Sequence, residues 1–341
     1  MTSARRGAVP VFVTPHDRLV RWPDTFGRRF LVTIDTEEEF DWRLPPARAP
    51  RGVRSVAALP PFHDRLAGQG VHPVYLVDYP VADDAEAASI LRSILTRDAK
   101  AAIGAQLHSW VTPPFADDED ETFGGNLPAS LEAAKIARLT ARIEEAIGVR
   151  PRLYRAGRYG IGHGTAAMLE KQGYVADASM RARFDYRRDG GPDFSGVDGH
   201  VFTLAEGILE LPVTTVFTGV LRRRGASLHR ALGRLPKARG VFARARLLSR
   251  VPLSPEGTRA GEAIAAIRAA ASDGERLLQI AFHSPSLVPG NTPYVRTDED
   301  LARFHGWWNA VLPALAAAGY LPATLDEVLH AACQPQGLPA T

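Results

Sequence analysis

Short apolar runs rich in Val, Ile, Leu, Phe and Tyr alternate along the chain with longer stretches of helical periodicity. The runs have the length and composition of β-strands, and we predict strands at 30–35, 72–77, 102–108, 152–156, 174–178, 209–216 and 278–283. The stretches between them predict helices near 53–69, 83–97, 129–147, 164–172, 258–272, 298–318 and 325–333. This alternation is typical of βα units around a parallel sheet, so the pattern favours a single distorted α/β barrel, a (β/α) barrel that need not be complete.

The predicted barrel spans residues 28–333, between an N-terminal extension at 1–27 and a C-terminal tail at 334–341. Residues 111–128 form a long loop after a predicted strand, a common position for functional insertions. Residues 218–256 do not fit the repeat, and we predict that they form a basic helical insertion on the outside of the barrel.

The insertion is basic because ten Lys or Arg residues and no acid lie between Leu221 and Val251. Leu228, Leu232 and Leu235 have i, i+4 and i+7 spacing, which predicts an amphipathic helix with a cationic face. Such a helix suits either peripheral contact with an anionic membrane through 221–251 or an ordinary solvated surface. No nucleic-acid motif accompanies the charge, so we expect no nucleic-acid partner.

The chain has 341 residues, of which 45% are hydrophobic, and a formal net charge of +3, as expected of a soluble α/β protein. Cys333 is the only cysteine, which excludes an intrachain disulfide. The first residues lack the apolar core of a signal peptide, and no apolar run reaches the roughly 18 residues that a membrane helix needs. We therefore expect a cytoplasmic protein, with the inner face of the membrane as a peripheral location.

The segment 30–42, F-L-V-T-I-D-T-E-E-E-F-D-W, joins an apolar strand to a cluster of acids. Asp35 and Glu37 are two residues apart, so in an extended chain their side chains point the same way. One of them can hold a cation while the other accepts a proton from water. The alternative is a solvated acidic loop.

Three other predicted strands end in residues that can perform chemistry. Gln106 and His108 share a face of one strand, Arg155 ends a second before a glycine-rich turn, and His283 ends a third. The carboxyl ends of parallel strands lie at one rim of a barrel, where active sites form, so we expect these residues to lie near Asp35. A histidine beside carboxylates is half of a zinc-type site, and His283 is a candidate acid or base.

These strand ends, in this order, resemble the motifs of the polysaccharide deacetylase family, whose members contain a NodB-homology domain. The segments are T-I-D-T-E at 33–37, H-S-W-V-T-P at 108–113, R-A-G-R-Y at 155–159, D-A-S at 177–179 and A-F-H at 281–283. The first resembles a divergent D-x-E branch of the family. In the second, Thr112 stands where the family has its second histidine.

The resemblance implies a role for each catalytic residue. Asp35 is then the catalytic base, Arg155 the arginine that tunes it, and His283 the general acid. Trp110, Tyr159 and Asp177 are then the candidate substrate-binding residues.

The resemblance also implies a divalent metal, most commonly zinc. Its ligands are then Glu37, His108 and the residue in the place of the second histidine, Thr112, with Gln106 as the alternative ligand. Because a hydroxyl is a poor zinc ligand, Thr112 leaves the metal's first shell and the retention of activity open.

The implied function is a metal-dependent hydrolase that removes N-acetyl groups from a cell-envelope or surface carbohydrate, either a glycan or a lipid-linked sugar. One alternative is hydrolysis of another C–N bond on the same scaffold. Another is a catalytically silent barrel that binds glycan.

Overall fold

The computed structural model describes residues 9–49, 51–116 and 122–334, which form an α/β structure. The strands are β1 (Val11–Val13), β2 (Arg28–Thr36), β3 (Val74–Val77), β4 (Ala102–Leu107), β5 (Leu153–Ala156), β6 (Ala176–Asp177), β7 (Asp193–Gly196), β8 (Phe202–Thr203), β9 (Leu209–Glu210), β10 (Thr215–Thr218), β11 (Ser249–Pro252), β12 (Leu277–His283) and β13 (Tyr320–Pro322). The α-helices are α1 (Leu59–Ala67), α2 (Tyr79–Asp83), α3 (Ala85–Arg97), α4 (Ala129–Ile147), α5 (Thr165–Lys171), α6 (Gly225–Leu232), α7 (Ala238–Arg244), α8 (Ala260–Ser272), α9 (Asp298–Ala317) and α10 (Leu325–Cys333).

The main sheet has the strand order β12-β2-β3-β4-β5-β6-β9-β8, and β13 pairs with the first half of β2. Its strands are parallel except for the antiparallel β8–β9 pair. Thr214 and Leu253 connect the β9 side to β12, because the Thr214 amide donates to the Gln279 carbonyl and the Ala281 amide to that of Leu253. The sheet therefore curls into an incomplete barrel, and the predicted distorted (β/α) barrel is confirmed.

Side chains on the inner face of the barrel change from apolar to polar along each strand. On β2 the inner positions are Leu31, Thr33 and Asp35, and on β12 they run from Leu277 to His283. The apolar ends pack against α10 in one buried cluster, which also contains Val328. This gradient places the polar side chains at the carboxyl ends of the strands, as predicted from the period of two.

Six of the seven predicted helices are confirmed with small shifts of their ends, and α4 and α10 have the predicted bounds. The helix predicted at 53–69 begins only at Leu59, because Arg54–Ala58 forms a 3-10 helix. The predicted strand at 209–216 was wrong as one element, because it breaks into β9 and β10 around Pro212. Strands β1, β7, β8, β11 and β13, of two to four residues each, were not predicted. The β1 strand pairs with β7, so this part of the N-terminal extension is joined to the rest of the structure.

The basic insertion contains α6 and α7 and also β11, which pairs antiparallel with β10. The helix α6 ends at Leu232, so the predicted amphipathic helix does not extend to Leu235, which is exposed. Contact with a membrane surface through this segment stays a prediction. No helix among the described residues has the length and apolar content needed to cross a bilayer.

Candidate active site

A cavity of about 1070 Å³ opens at the carboxyl ends of the parallel strands. Most of the residues predicted from the sequence line it, namely Asp35, Glu37, Gln106, His108, Trp110, Arg155, Tyr159 and His283. Thr112 and Asp177 do not line it. A barrel rim that gathers this set of side chains has the components of a hydrolytic centre.

Asp35 is held by an ion pair with Arg155, and both side chains are buried. The Arg155 Nη1 donates to Asp35 Oδ1, its Nη2 to the Thr33 hydroxyl at 3.1 Å, and its Nε to the Ala178 carbonyl at 2.9 Å. These bonds fix the guanidinium against one carboxylate oxygen. The other oxygen, Oδ2, faces His283.

His283 is paired with Glu256, a residue of the loop after β11. The Glu256 carboxylate accepts from His283 Nδ1 at 2.7 Å and from the His283 backbone amide at 3.1 Å. Burial alone lowers the pKa of His283, but Glu256, Glu37 and Asp35 together raise it to about 10. The imidazole is therefore held in its protonated, proton-donating form at neutral pH.

The two proton-transfer candidates, Asp35 and His283, face each other. They are register partners on the adjacent strands β2 and β12, and His283 Nε2 lies 3.7 Å from Asp35 Oδ2. The ring of Trp42 lies edge-on to the imidazole, with the ring centroids 4.9 Å apart at 76°. Both groups line the same cavity, so one substrate can contact both.

Glu37 and His108 lie next to each other in the cavity. His108 Nε2 lies 3.4 Å from Glu37 Oε2, which also accepts from the Gln106 amide at 3.3 Å. Glu37 Oε1 and Gln106 Oε1 are buried and have no hydrogen-bond partner in the described part of the chain. Burial raises the pKa of Glu37 to about 8, although His283 and His108 oppose that rise.

Glu38 and Asp78 form a hydrogen-bond network that includes Nδ1 of His108. Glu38 Oε2 accepts from His108 Nδ1 at 2.7 Å, and Glu38 Oε1 accepts from the Trp110 indole at 2.9 Å. Asp78 accepts from the Glu38 amide at 2.8 Å and from the Val81 amide at 2.9 Å. Burial raises the pKa of Glu38 and raises that of Asp78 well above its usual range.

A divalent cation fits beside Glu37 and His108. Because Nδ1 of His108 donates to a carboxylate, Nε2 has the free lone pair, the usual arrangement of a metal-ligating histidine. Glu37 Oε1 and Gln106 Oε1, the buried oxygens without a hydrogen-bond partner among the described residues, are the atoms to which a cation would bind. Glu38, Asp78 and His108 also place ligand atoms within 4.8 Å of one another, but both carboxylates already accept two bonds.

The turn after β5 comes very close to His108. A Cβ added to Gly157 would lie 2.4 Å from His108 Cδ2, and the next two residues, Arg158 and Tyr159, have positive φ angles of 54° and 60°. Gly157 therefore leaves the space that the His108 ring occupies, which a side chain at this position would fill.

Two predicted residues lie away from the cavity. Thr112 is fully buried, its hydroxyl has no partner among the described residues, and its carbonyl accepts from Lys135 Nζ at 2.7 Å. Asp177 is buried beside its register partner Glu210 and accepts from the Ser179 hydroxyl. Neither position supports direct contact with a ligand in the cavity, and their predicted roles stay predictions.

Three site residues escaped the sequence analysis. Glu256 is the only acid between Glu210 and Glu262, and such an isolated acid after a long basic block was a usable signal. Asp78 follows the apolar strand V-Y-L-V, as Asp35 follows its own strand, so the same reasoning applied to β3 would have found it. Glu38 was noted only as one acid of the cluster, because a strand pattern does not show that it points towards His108.

The fold is shared with solved structures. A Mycobacterium smegmatis protein named as a polysaccharide deacetylase matches with a TM-score of 0.51 and 18% identity, over 97% of this chain and 99% of its own. A 4-alpha-glucanotransferase from Thermococcus litoralis matches with a TM-score of 0.52 and 12% identity, over 89% of this chain and 40% of its own. No protein-family model and no curated protein matches the sequence. The chain therefore shares the fold of the M. smegmatis protein that bears the polysaccharide deacetylase name, which confirms at the level of the fold the resemblance seen in its strand-end motifs.

Proposed function

We propose that this protein is a metal-dependent hydrolase that removes N-acetyl groups from a carbohydrate of the cell envelope or surface. The observation that supports this most is the pairing of two opposed proton-transfer groups, Asp35 with Arg155 and His283 with Glu256, in one cavity. A binding module has no need of a buried base and a buried acid, each tuned by its own partner. The name of the M. smegmatis protein of the same fold agrees with this activity.

In the proposed reaction Asp35 acts as the base. Its Oδ2 accepts the proton of the water that attacks the acetamide carbonyl, while Arg155 stays bonded to Oδ1 and holds the carboxylate in place. His283 then donates its Nε2 proton to the departing amine, which is too basic to leave as an anion. Glu256 remains bonded to Nδ1 and stabilises the cationic ring until the proton leaves.

Glu37 and His108 would hold the metal, with Gln106 as a further oxygen ligand. A divalent cation there would polarise the acetamide carbonyl and lower the pKa of water. Zinc suits a site with one imidazole and oxygen ligands, although other first-row metals do as well. Glu38 keeps His108 in the tautomer that has Nε2 free.

The test of function is acetate release from N-acetylated glycans, after metal analysis of protein purified without a histidine tag. About one divalent ion per chain together with acetate release supports the proposal. If neither metal nor acetate release is found after incubation with zinc, cobalt, nickel or manganese, a catalytically silent glycan-binding barrel is favoured. The threonine at position 112, where the family has its second histidine, supports that alternative.

His108→Ala is expected to lose the metal. The substitution removes Nε2 and leaves Glu37 as a single strong ligand, so bound zinc should fall from about one ion per chain to almost none. Elemental analysis after dialysis measures this change. His330→Ala, at an exposed position on α10, is the matched control and should keep the metal. Stoichiometric metal in His108→Ala would remove this residue from the proposed ligands.

Glu256→Gln is expected to lower the pH above which activity is lost. Glu256 is the largest influence that raises the pKa of His283 to about 10, so an amide in its place lowers that pKa. The reaction needs His283 protonated, so activity disappears as the pH rises through the pKa of His283. The alkaline limb of the kcat profile should therefore move to lower pH by roughly one pH unit or more. Glu299→Gln, an exposed control on α9, should leave the profile in place. If the alkaline limb of the kcat profile does not move in Glu256→Gln, Glu256 has no role in acid catalysis.

A further inference from the structure

A second cavity, of about 480 Å³, opens beside the first. Arg181 and Tyr294 line both cavities, so together they form the boundary between them. The second cavity is also lined by Arg239 of α7 and Arg250 of β11, so the basic insertion forms one of its walls. His229 of α6 completes this group of cationic and titratable residues.

These three arginines have no carboxylate partner among the residues that the structure describes. Arg250 Nη1 donates to the Arg183 carbonyl at 2.9 Å, and Arg239 Nε to the His229 carbonyl at 2.9 Å. Arg181 Nη1 reaches only the Tyr186 hydroxyl, at 3.5 Å, and its buried Nε has no hydrogen-bond partner within the described ranges. Backbone and hydroxyl oxygens accept these bonds but do not neutralise the charge.

Aromatic stacking holds two of the guanidinium groups in place instead. The Arg250 guanidinium carbon lies 3.6 Å from the ring centroid of Phe184, and that of Arg181 lies 4.0 Å from it. Arg181 also lies 5.4 Å from the centroid of Tyr159, a residue of the first cavity. Stacking leaves the planar N–H edges of arginine available for an oxyanion.

The two acids that line the second cavity, Glu256 and Glu262, form no ion pair with these arginines among the described residues. Both oxygens of Glu256 accept from His283, and Oε1 also accepts from the Ser286 hydroxyl. Glu262 Oε2 accepts from the Arg259 amide at the start of α8. Burial, followed by the nearby cations, lowers the pKa values of two residues of the group. The pKa of Arg250 falls to about 10 through burial and the nearby Arg181 and Arg239, and the pKa of His229 falls to about 4 through burial and the same Arg239 together with Arg250.

We propose that the second cavity is an anion-binding subsite, and that the acetylated sugar processed at Asp35 and His283 has a phosphoryl or carboxylate group next to its reacting residue. Two or more arginines that converge without a counter-ion are suited to bidentate recognition of such a group. The position of Arg181 and Tyr294 between the cavities allows one substrate to occupy both. The part of this inference that concerns the substrate rests on the proposed function, whereas anion binding itself does not.

The first experiment measures binding of inorganic phosphate, pyrophosphate and glucuronate to the metal-free full-length protein by calorimetry, at low and at moderate salt. Metal-free protein is used so that no bound cation attracts the anion. The variants are Arg239→Gln, which is exposed, and Arg250→Gln. The control is Arg230→Gln, an exposed arginine of the same basic block that does not line the second cavity.

We expect saturable binding of at least one anion, weakened about tenfold or more by each of the two cavity variants and unchanged by the control. Binding of the phosphate probes points to a phosphorylated sugar, and binding of glucuronate alone points to a uronate-containing glycan. Absence of binding by all three anions, or equal weakening in Arg230→Gln, overturns the subsite. Because Arg239 is exposed and is not stacked on Phe184, its variant reports on the cavity even where Arg250→Gln fails to fold.

A second experiment compares acetate release from UDP-N-acetylglucosamine, an N-acetylated uronate oligosaccharide and neutral N-acetylglucosamine oligomers. The expected result is a preference for an anionic sugar that Arg239→Gln reduces through KM. Anion binding without any acetate release would contradict the proposed deacetylase and leave the subsite standing. Acetate release with equal efficiency on neutral and anionic sugars would contradict the subsite and leave the deacetylase standing.

Discussion

Asp35→Asn is expected to reduce acetate release roughly a hundredfold to ten-thousandfold while the metal stays bound. The amide cannot accept the proton of the attacking water, but Glu37 and His108, the proposed ligands, are unchanged. The measurements are kcat on the substrate identified by the glycan screen and metal content per chain. Circular dichroism confirms that the variant is folded, because the substitution also leaves the Arg155 guanidinium without its carboxylate.

Asp41→Asn is the matched control for this substitution. It makes the same chemical change six residues along the chain, at an exposed acid that does not line the cavity. Its kcat should equal that of the unmodified protein. Full activity in Asp35→Asn would remove Asp35 from the role of base, and loss of metal in that variant would instead place it among the ligands.

Arg155→Met is expected to lower the free energy of unfolding by about 3–5 kcal/mol. The substitution removes the cation from a buried ion pair, and Asp35, only 2% exposed, must then be protonated or remain charged without compensation. The Thr33 hydroxyl and the Ala178 carbonyl each also lose the hydrogen bond that Arg155 donates. Denaturant unfolding of the metal-free protein measures the change, and the midpoint should fall clearly.

Arg152→Met is a matched control on the same segment of chain. Arg152 pairs with Asp326 at 2.8 Å, but both side chains are largely exposed, so the expected loss is at most about 1 kcal/mol. The double variant Arg155→Met with Asp35→Asn should recover part of the lost stability, since no buried charge remains unpaired. Equal losses for Arg155→Met and Arg152→Met would show that the buried pair has no special energetic role.

The convergence of the site could be predicted from sequence because it follows from strand geometry. A period of two places Asp35 and Glu37 on one side, and parallel strands bring Arg155 and His283 to the same rim. Side chains that reach the site from loops have no such rule. Glu256 follows β11, a four-residue strand inside a basic block, and only tertiary structure brings it to His283.

Thr112 shows that a residue in the expected motif position can still lie outside the site. Motif spacing places it where the family has a metal histidine, yet in the structure its side chain is buried outside the cavity. The turn at 109–113 determines where this residue points, and turn geometry is not encoded in a pattern of ligand types. The same holds for Asp177, whose strand β6 is only two residues long and packs it beside Glu210.

The partners of the two proton-transfer groups come from different parts of the chain. Arg155 belongs to the parallel barrel, whereas Glu256 lies in the segment that contains α6, α7 and β11. Substitutions in that segment can therefore alter the proton donor His283 and the arginines of the second cavity while the Asp35–Arg155 pair stays unchanged. Substitutions within this segment are therefore a route to a different working pH or a different preference for substrate charge.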